Sequence, residues 1–353
     1  MTENTQVAEK KSFTTSLSEW SNEITALIAR DYVSCGVEFD EYSKQCAMEA
    51  MSSIYTLVRT NPKINMINLD TSNLRGIVER CASLKLNANA YPRECYFQLR
   101  NVNVGKDEKG NDVWQQMIEM GIEGAGNDAI LSNFGKGVKR VYPYWDVKEG
   151  DEYIPPRHKG IEVTPPEWNP KGESQKTVTV VYPVMLEDGT VTYLIAHRDS
   201  VKTNLLAHVK QNLMNETFGL ITGTKKDKYG KTVARTRYDA TEEEKTSIKN
   251  KKEEILSVLR NCATVDEMLS CEIARPYMSM AWLDTPESMI TRKMCNNATK
   301  KFPKDYNSMA NKSFMELDDT YKNVAVEIEE NANTVDFDEV VNEVTGEEKP
   351  EFE

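Results

Sequence analysis

Cations held at fixed intervals beside an apolar stripe can do one kind of chemistry well: they neutralise a polyanion. The stretch from Trp282 through Met289, Arg292, Lys293, Lys300 and Lys301 to Phe302-Pro303 has that form. Ile290, Met294, Ala298 and Phe302 recur every four residues, which predicts a helix with one face docked on a core. Lys293, Asn297 and Lys300 fall on the flank of that face, joined by Lys304 if the helix bends on past Pro303. A helix anchored this way fixes its charges in space, as a nucleic-acid backbone requires. For an isolated helix, a solvated charged face is the competing reading.

Charge along the whole chain bears on that choice. The formal net charge is −12. Residues 316–353 hold 14 acidic residues and 2 lysines, a net of −12, which leaves 1–315 balanced at 42 acidic and 42 basic residues. Within the balanced part, 198–237 carries 9 basic against 3 acidic residues, and 288–312 carries 6 against 1. Exposed charges are screened beyond about 8–10 Å, so these local excesses predict partners better than the net sign does.

Other chemistries find less support. His158, His197 and His208 have no metal-ligand spacing with one another or with a cysteine pair, which argues against zinc. There is no Gly-x-x-x-x-Gly-Lys-Ser/Thr loop and no Gly-x-Ser-x-Gly elbow. Glu149, Asp151 and Glu152 surround Gly150 and could hold a metal, although a plain turn has the same composition. Cysteines 35, 46, 81, 95, 262, 271 and 295 form no Cys-x-x-Cys pair, which suggests reduced thiols in a cytoplasmic protein. No apolar run reaches the roughly 20 residues needed to cross a bilayer.

The elements that must position the cations follow from periodicity. A flexible arm over 1–13 is followed by three amphipathic helices, over 16–32, 39–60 and about 70–84. Residues 94–104 and 113–120 predict a hairpin, and a short helix ends near Phe134-Gly135. Strand character resumes over 138–147. Five prolines between 155 and 171 suggest an irregular excursion. Residues 177–186 and 190–197 flank Glu187-Asp188-Gly189, a strong hairpin signal. Val201, Leu205, Val209 and Leu213 mark a helix over 198–215. Residues 222–239 read as a Gly/Lys/Arg-rich loop, 241–260 as a charged helix and 306–317 as a shorter one. The acidic composition beyond 331 predicts disorder. The expected class is therefore α+β: N-terminal helices, central antiparallel hairpins packed on helices, a C-terminal helical segment and an acidic tail.

Several segments, in order, resemble the RecT family of phage and prophage recombinases. Val78-Glu-Arg-Cys81-Ala-Ser-Leu84-Lys-Leu86 is similar to the family's Cys-x-x-Leu-x-Leu helix ending. Gln116 to Gly121-Ile-Glu-Gly124 resembles its strand-to-helix junction with paired glycines, and Glu149-Gly-Asp-Glu-Tyr153 its Glu-Gly-Asp-Glu-aromatic turn. Val181-Tyr-Pro-Val184 through Gly189 resembles its next hairpin. Trp282, Met289, Arg292, Lys300 and Pro303 stand at the family's offsets of seven, three, eight and three. The chain departs from the pattern in three places. Ile122 and Glu123 replace an aromatic and a basic residue, Asn296 or Asn297 replaces an arginine, and an insertion falls within 215–275.

The resemblance implies an arm and first helix over 1–36, a DNA-annealing domain over 37–317 and a tail over 318–353. It implies ATP-independent binding and annealing of single-stranded DNA by a homo-oligomeric filament or ring. No cofactor is implied beyond magnesium as a modulator. The implied partners are annealed duplex, a phage 5′–3′ exonuclease and a host single-strand-binding protein; no membrane is involved. Lys293 and Lys300 lead as backbone contacts, with Arg292 and Lys301 beside them. Arg198, Lys202, Lys136, Lys139 and Arg140 form a second set, for which a solvated surface charge is an equal alternative. Trp282 is a candidate for stacking on a base, against a role in the core. Two rival readings stay open: a metal-dependent nuclease using Glu149, Asp151 or Glu152, and a non-DNA-binding adaptor with an acidic interaction tail.

Overall fold

The computed structural model describes residues 22–64, 69–106, 112–227, 229–313 and 315. The expected arm over 1–13 and the acidic tail over 318–353 lie outside them. In chain order the elements are α1 (22–34), α2 (Glu41–Thr60), β1 (Leu69–Asp70), α3 (Leu74–Ser83), β2 (Cys95–Lys106), β3 (Asp112–Ile122) and α4 (Gly124–Phe134). Short strands follow: β4 (Val138–Val141), β5 (Trp145–Lys148), β6 (Glu152–Ile154), β7 (Arg157–Lys159), β8 (Glu162–Thr164) and β9 (Glu167–Asn169). The remainder is β10 (Thr177–Leu186), β11 (Val191–His197), α5 (Lys202–Leu213), β12 (Thr224–Lys226), β13 (Thr232–Ala234), α6 (Glu242–Asn261), α7 (Val265–Ser270), α8 (Met280–Leu283), α9 (Pro286–Lys300) and α10 (308–313). The class is α+β, as expected. Among the described residues no helix is long and apolar enough to cross a membrane.

The chain divides into two compact units. Among the described residues, the first comprises those up to Tyr142, Pro183–Thr192 and those from Thr299 to 315. In it α2 starts where the Asp40 carboxylate accepts from Ser43 N at 2.7 Å, satisfying one orphan donor of the first turn. Ala47, Ala50 and Ile54 of α2 are buried with Ile77, Val78 and Cys81 of α3, in one cluster that also takes Ile118 and Met120 from β3. Strand order is β1-β3-β2, with β2 and β3 antiparallel from Cys95↔Ile122 onward. Met309 and Ala310 of α10 belong to the same core, and Ser83 Oγ donates to Ser313 Oγ at 2.6 Å.

Among the described residues, the second unit comprises Pro143–Tyr182 and Tyr193–Ala298. Here β5 pairs antiparallel with the first half of β10, at Val180↔Asp146 and Val181↔Trp145. Val201, Leu205, Val209 and Leu213 are buried, as their spacing predicts. Two expectations are corrected in this unit. The proline-rich stretch 155–171 is not irregular: β7 pairs with β8 and β6 with β9, the prolines standing between strands, where no ladder N–H is lost. The basic stretch 222–239 is not a plain loop, because β12 pairs with β13 at Thr224↔Ala234 and Lys226↔Thr232.

A candidate nucleic-acid interface

In the first unit, the segment after α4 meets the segment after α9. Helix α4 buries Ile130, Leu131 and Phe134. It sits close to its neighbours because position 126 is glycine; a Cβ there would lie 2.1 Å from the Glu94 carbonyl oxygen. The Gly135 N–H donates to Leu131 O at 2.9 Å, and Gly137, at φ +67°, turns the chain into β4. Residues 134–136 then run antiparallel to 303–305. Lys136 N donates to Pro303 O at 3.0 Å, Asp305 N donates to Phe134 O at 2.7 Å, and Gly135 forms a bridge with Lys304. The Phe134 and Tyr306 rings, 5.3 Å apart, close the underside. Phe134 is buried, so its role is in the core.

This closure gathers cations from distant parts of the sequence. Lys136, Lys139, Arg140, Lys300 and Lys301 are all exposed, and among the described residues none of them makes an ion pair. Arg140 is steadied by lying over the Tyr142 ring at 4.9 Å, and β4 is held by pairing with β10 at Val184↔Val141. Lys304 works differently. Its Nζ donates to the carbonyls of Thr299 (3.2 Å), Lys300 (3.2 Å) and Phe302 (3.0 Å), capping the C-terminal end of α9. Burial, and then the Lys300 charge, pull the Lys304 pKa below that of an ordinary lysine. The exposed carboxylates on neighbouring chain are Asp305, Glu187 and Asp188; Asp188 accepts from Thr190 N and Oγ1 at 2.8 and 2.7 Å. Glu187 is brought in by its N–H, which donates to Gly137 O at 2.9 Å.

The remaining expected contacts lie in the second unit, and three of them are reassigned. Arg198 is 8% exposed. Its guanidinium donates to Asp266 (2.6 Å from Nη2), to both carboxylate oxygens of Glu287 (2.6 and 2.8 Å) and to Thr177 O (2.9 Å). Burial lowers the pKa of Arg198, but the two carboxylates outweigh it and the net shift is upward. Arg198 is thus enclosed by carboxylates and is not a phosphate contact. Lys202 Nζ donates to the carbonyls of Cys262 (2.6 Å) and Ala263 (2.9 Å), just past the C-terminal end of α6, so its charge is spent inside the unit. Trp282 is 2% exposed, which makes it a core aromatic with no face for a base. Arg292 is exposed, with Nη2 3.4 Å from Met289 Sδ. Lys293 is half-buried; His208 has its pKa lowered by burial and then by the Lys293 charge. Asn297, read as part of the cationic flank, donates to Ser200 O at 3.2 Å and Asn204 Oδ1 at 2.9 Å.

The carboxylates of the 149–152 turn are committed locally. Asp151 accepts from Lys148 N (2.9 Å), Lys171 N (2.9 Å) and Trp168 Nε1 (2.9 Å), and those bonds, Lys171 N first, hold its pKa low. Glu152 accepts from Asn169 Nδ2 at 3.1 Å and pairs with Lys171; Glu149 pairs with Lys176 at 3.6 Å. Gly150 takes φ +90°, so this is the turn that its composition resembles. Asp266 and Glu287, which decide the fate of Arg198, carried no sequence signal beyond being acidic residues in the first turns of helices. The chain has no significant match among protein-family models, curated proteins or solved structures.

Proposed function

We propose that this chain binds single-stranded DNA and promotes annealing of complementary strands without nucleotide hydrolysis, acting as an oligomer along the strand. The reading is supported by one observation above all. Five exposed cations, Lys136, Lys139, Arg140, Lys300 and Lys301, which make no ion pair among the described residues, are carried by two backbone segments hydrogen-bonded to each other. Two strands repel through their phosphates. A surface that neutralises one backbone and leaves its bases outward lets the second strand pair, so base pairing reads the sequence and side chains need not. The order of motifs shared with the RecT family supports the same reading, with an exonuclease and a single-strand-binding protein as its expected partners. A nuclease centred on Glu149, Asp151 and Glu152 is less well supported, since those carboxylates already serve the turn.

The test is annealing of complementary oligonucleotides in the absence of nucleotide triphosphate, together with binding of a labelled single strand across a salt series. Lys300→Ala with Lys301→Ala is expected to flatten the plot of log affinity against log salt by about 0.7 per lost contact, and Lys136→Ala with Lys139→Ala likewise. If neither pair alters the slope, the cluster does not meet phosphate and the reading fails.

A further inference from the structure

Between Pro156 and Pro165 the chain runs out into water as a ribbon. Strands β7 and β8 pair at Arg157↔Thr164, His158↔Val163 and Lys159↔Glu162, and the turn Gly160-Ile161 joins them, with Gly160 at φ +64°. Every residue from Arg157 to Thr164 is exposed, so among the described residues nothing covers either face. A lone two-stranded ribbon is marginally stable in water, and this one is held from its root. Pro155-Pro156 and Pro165-Pro166 form the neck, where they fix φ and withhold N–H groups from further pairing. Below the neck Tyr153 pairs with Trp168, whose ring stacks on Trp145 at 5.8 Å and whose Nε1 donates to Asp151 at 2.9 Å.

The arm presents two kinds of group. Ile161, in the turn, is 101% exposed, and Val163 is 41% exposed. Arg157 and Lys159, two apart on β7, share a face, and neither makes an ion pair among the described residues. An isoleucine at the end of a stiff ribbon gains by reaching apolar surface, and the cations beside it ask that the partner be a polyanion. The arm contains no Phe, Tyr or Trp, so a single strand, whose bases are held by stacking, gives Ile161 little. A duplex fits in shape. Three residues per strand, at about 3.3 Å each, reach roughly 10 Å. The major groove is about 8.5 Å deep and about 12 Å wide and admits a two-stranded ribbon, whereas the minor groove, about 6 Å wide, does not. On the major-groove floor thymine methyl groups offer apolar contact, and cytosine amino groups offer donors to a carboxylate such as Glu162. A second copy of the chain fits the β7 edge poorly, because Arg157 and Lys159 would face like charges there.

We propose that the β7–β8 ribbon enters the major groove of the duplex that annealing produces, with Ile161 against base edges on the floor and Arg157 and Lys159 on phosphates at the rim. The inference rests on the reading that the chain anneals single strands, and it gives the product a contact surface separate from the cation cluster.

Full-length protein, a blunt duplex and a single strand of the same sequence test it across a salt series. Arg157→Ala with Lys159→Ala is expected to lower the duplex salt slope by about 1.8, two contacts at about 0.9 each, and to leave the single-strand slope unchanged. Ile161→Ala is expected to weaken duplex binding about five- to fiftyfold with no change of slope. Wild-type protein should shield guanine N7, which lies at the major-groove edge, from methylation by dimethyl sulfate, and Ile161→Ala should lose that shielding. All three side chains are exposed, so both variants keep the wild-type unfolding temperature. If the variants match wild type on duplex, or wild type leaves N7 open, while Lys300→Ala with Lys301→Ala flattens the single-strand slope, the groove contact is overturned and the annealing reading stands. If Ile161→Ala instead changes the sedimentation of the DNA-free protein and leaves N7 shielded, the arm joins copies of the chain and the groove contact is again overturned. If wild-type protein neither retains nor anneals single strands, both fall.

Discussion

Glu287 gives the sharpest test of how the second unit is held together. Replacing it by alanine removes the acceptor of three bonds: Arg198 Nη1 at 2.8 Å, Arg198 Nη2 at 2.6 Å and Thr177 N at 3.2 Å. The guanidinium left behind is 9% exposed in its side chain and, among the described residues, keeps Asp266 and the Thr177 carbonyl. Breaking a fully buried pair costs about 3–5 kcal/mol, because an uncompensated charge stays inside. The Glu287 side chain is itself 37% exposed, so water reaches the gap and part of the loss is recovered. An expected cost of about 2–3 kcal/mol follows, or a fall in Tm of about 4–12 °C for a unit of this size. Glutamine at 287 keeps an acceptor without the charge and should fall between. The dependence on pH carries the signature. Burial raises the Glu287 pKa, the Arg198 bonds lower it more, and the net shift is downward. A carboxyl lowered on folding contributes stability that is complete above its unfolded value of about 4.3 and is lost as pH falls through the folded value. Wild-type Tm should therefore drop more steeply on acidification below that point than the Tm of the alanine variant. Scanning calorimetry of both proteins from neutral to acid pH measures this. A Glu287→Ala midpoint within about 1 °C of wild type at neutral pH, or parallel acid limbs, would refute the assignment of Arg198 to a structural ion cluster.

Other perturbations test separate links. Gly126→Ala forces a Cβ against the Glu94 carbonyl and should cost about 1–3 kcal/mol, read as a lowered midpoint in urea; an unchanged midpoint means the α4 contact is looser than described. Asp151→Ala frees the Trp168 indole N–H, so tryptophan emission should shift to the red; an unmoved spectrum shows that Asp151 does not hold the ring. Removing 331–353 deletes a net charge of −7 and should tighten single-strand binding at low ionic strength, with the gain fading as salt rises. Equal affinity at every salt concentration would deny the tail any electrostatic part in binding.

What could be read from the residues alone was whatever a local period carries. The stripe Val201, Leu205, Val209 and Leu213 is buried as spaced, and Asp188-Gly189 does turn β10 into β11. Ile290, Met294 and Ala298 do face a core. Three-residue strands such as β7, β8, β12 and β13 are too short to show alternation, and prolines between them resemble breakers. The second kind of failure lies in side chains whose partners are remote. Nothing near Arg198 in sequence announces carboxylates 68 and 89 positions away, so a basic residue after a hairpin looked like a surface charge. Lys202 and Trp282 misled for the same reason. The candidate surface was legible as charge and illegible as geometry, because the pairing of Gly135 with Lys304 joins two segments that have no pattern of their own.

Ser83 and Ser313, joined oxygen to oxygen across 230 positions, set a schedule for how this molecule is made. The opening helices cannot complete their packing until α10, with Met309 and Ala310, has left the ribosome. At synthesis rates of about 5–20 residues per second, that is a wait of about 10–50 s with apolar helix faces uncovered. Nascent chains stalled before residue 309 should therefore carry bound chaperone and be cut readily by protease, whereas those released past residue 315 should resist.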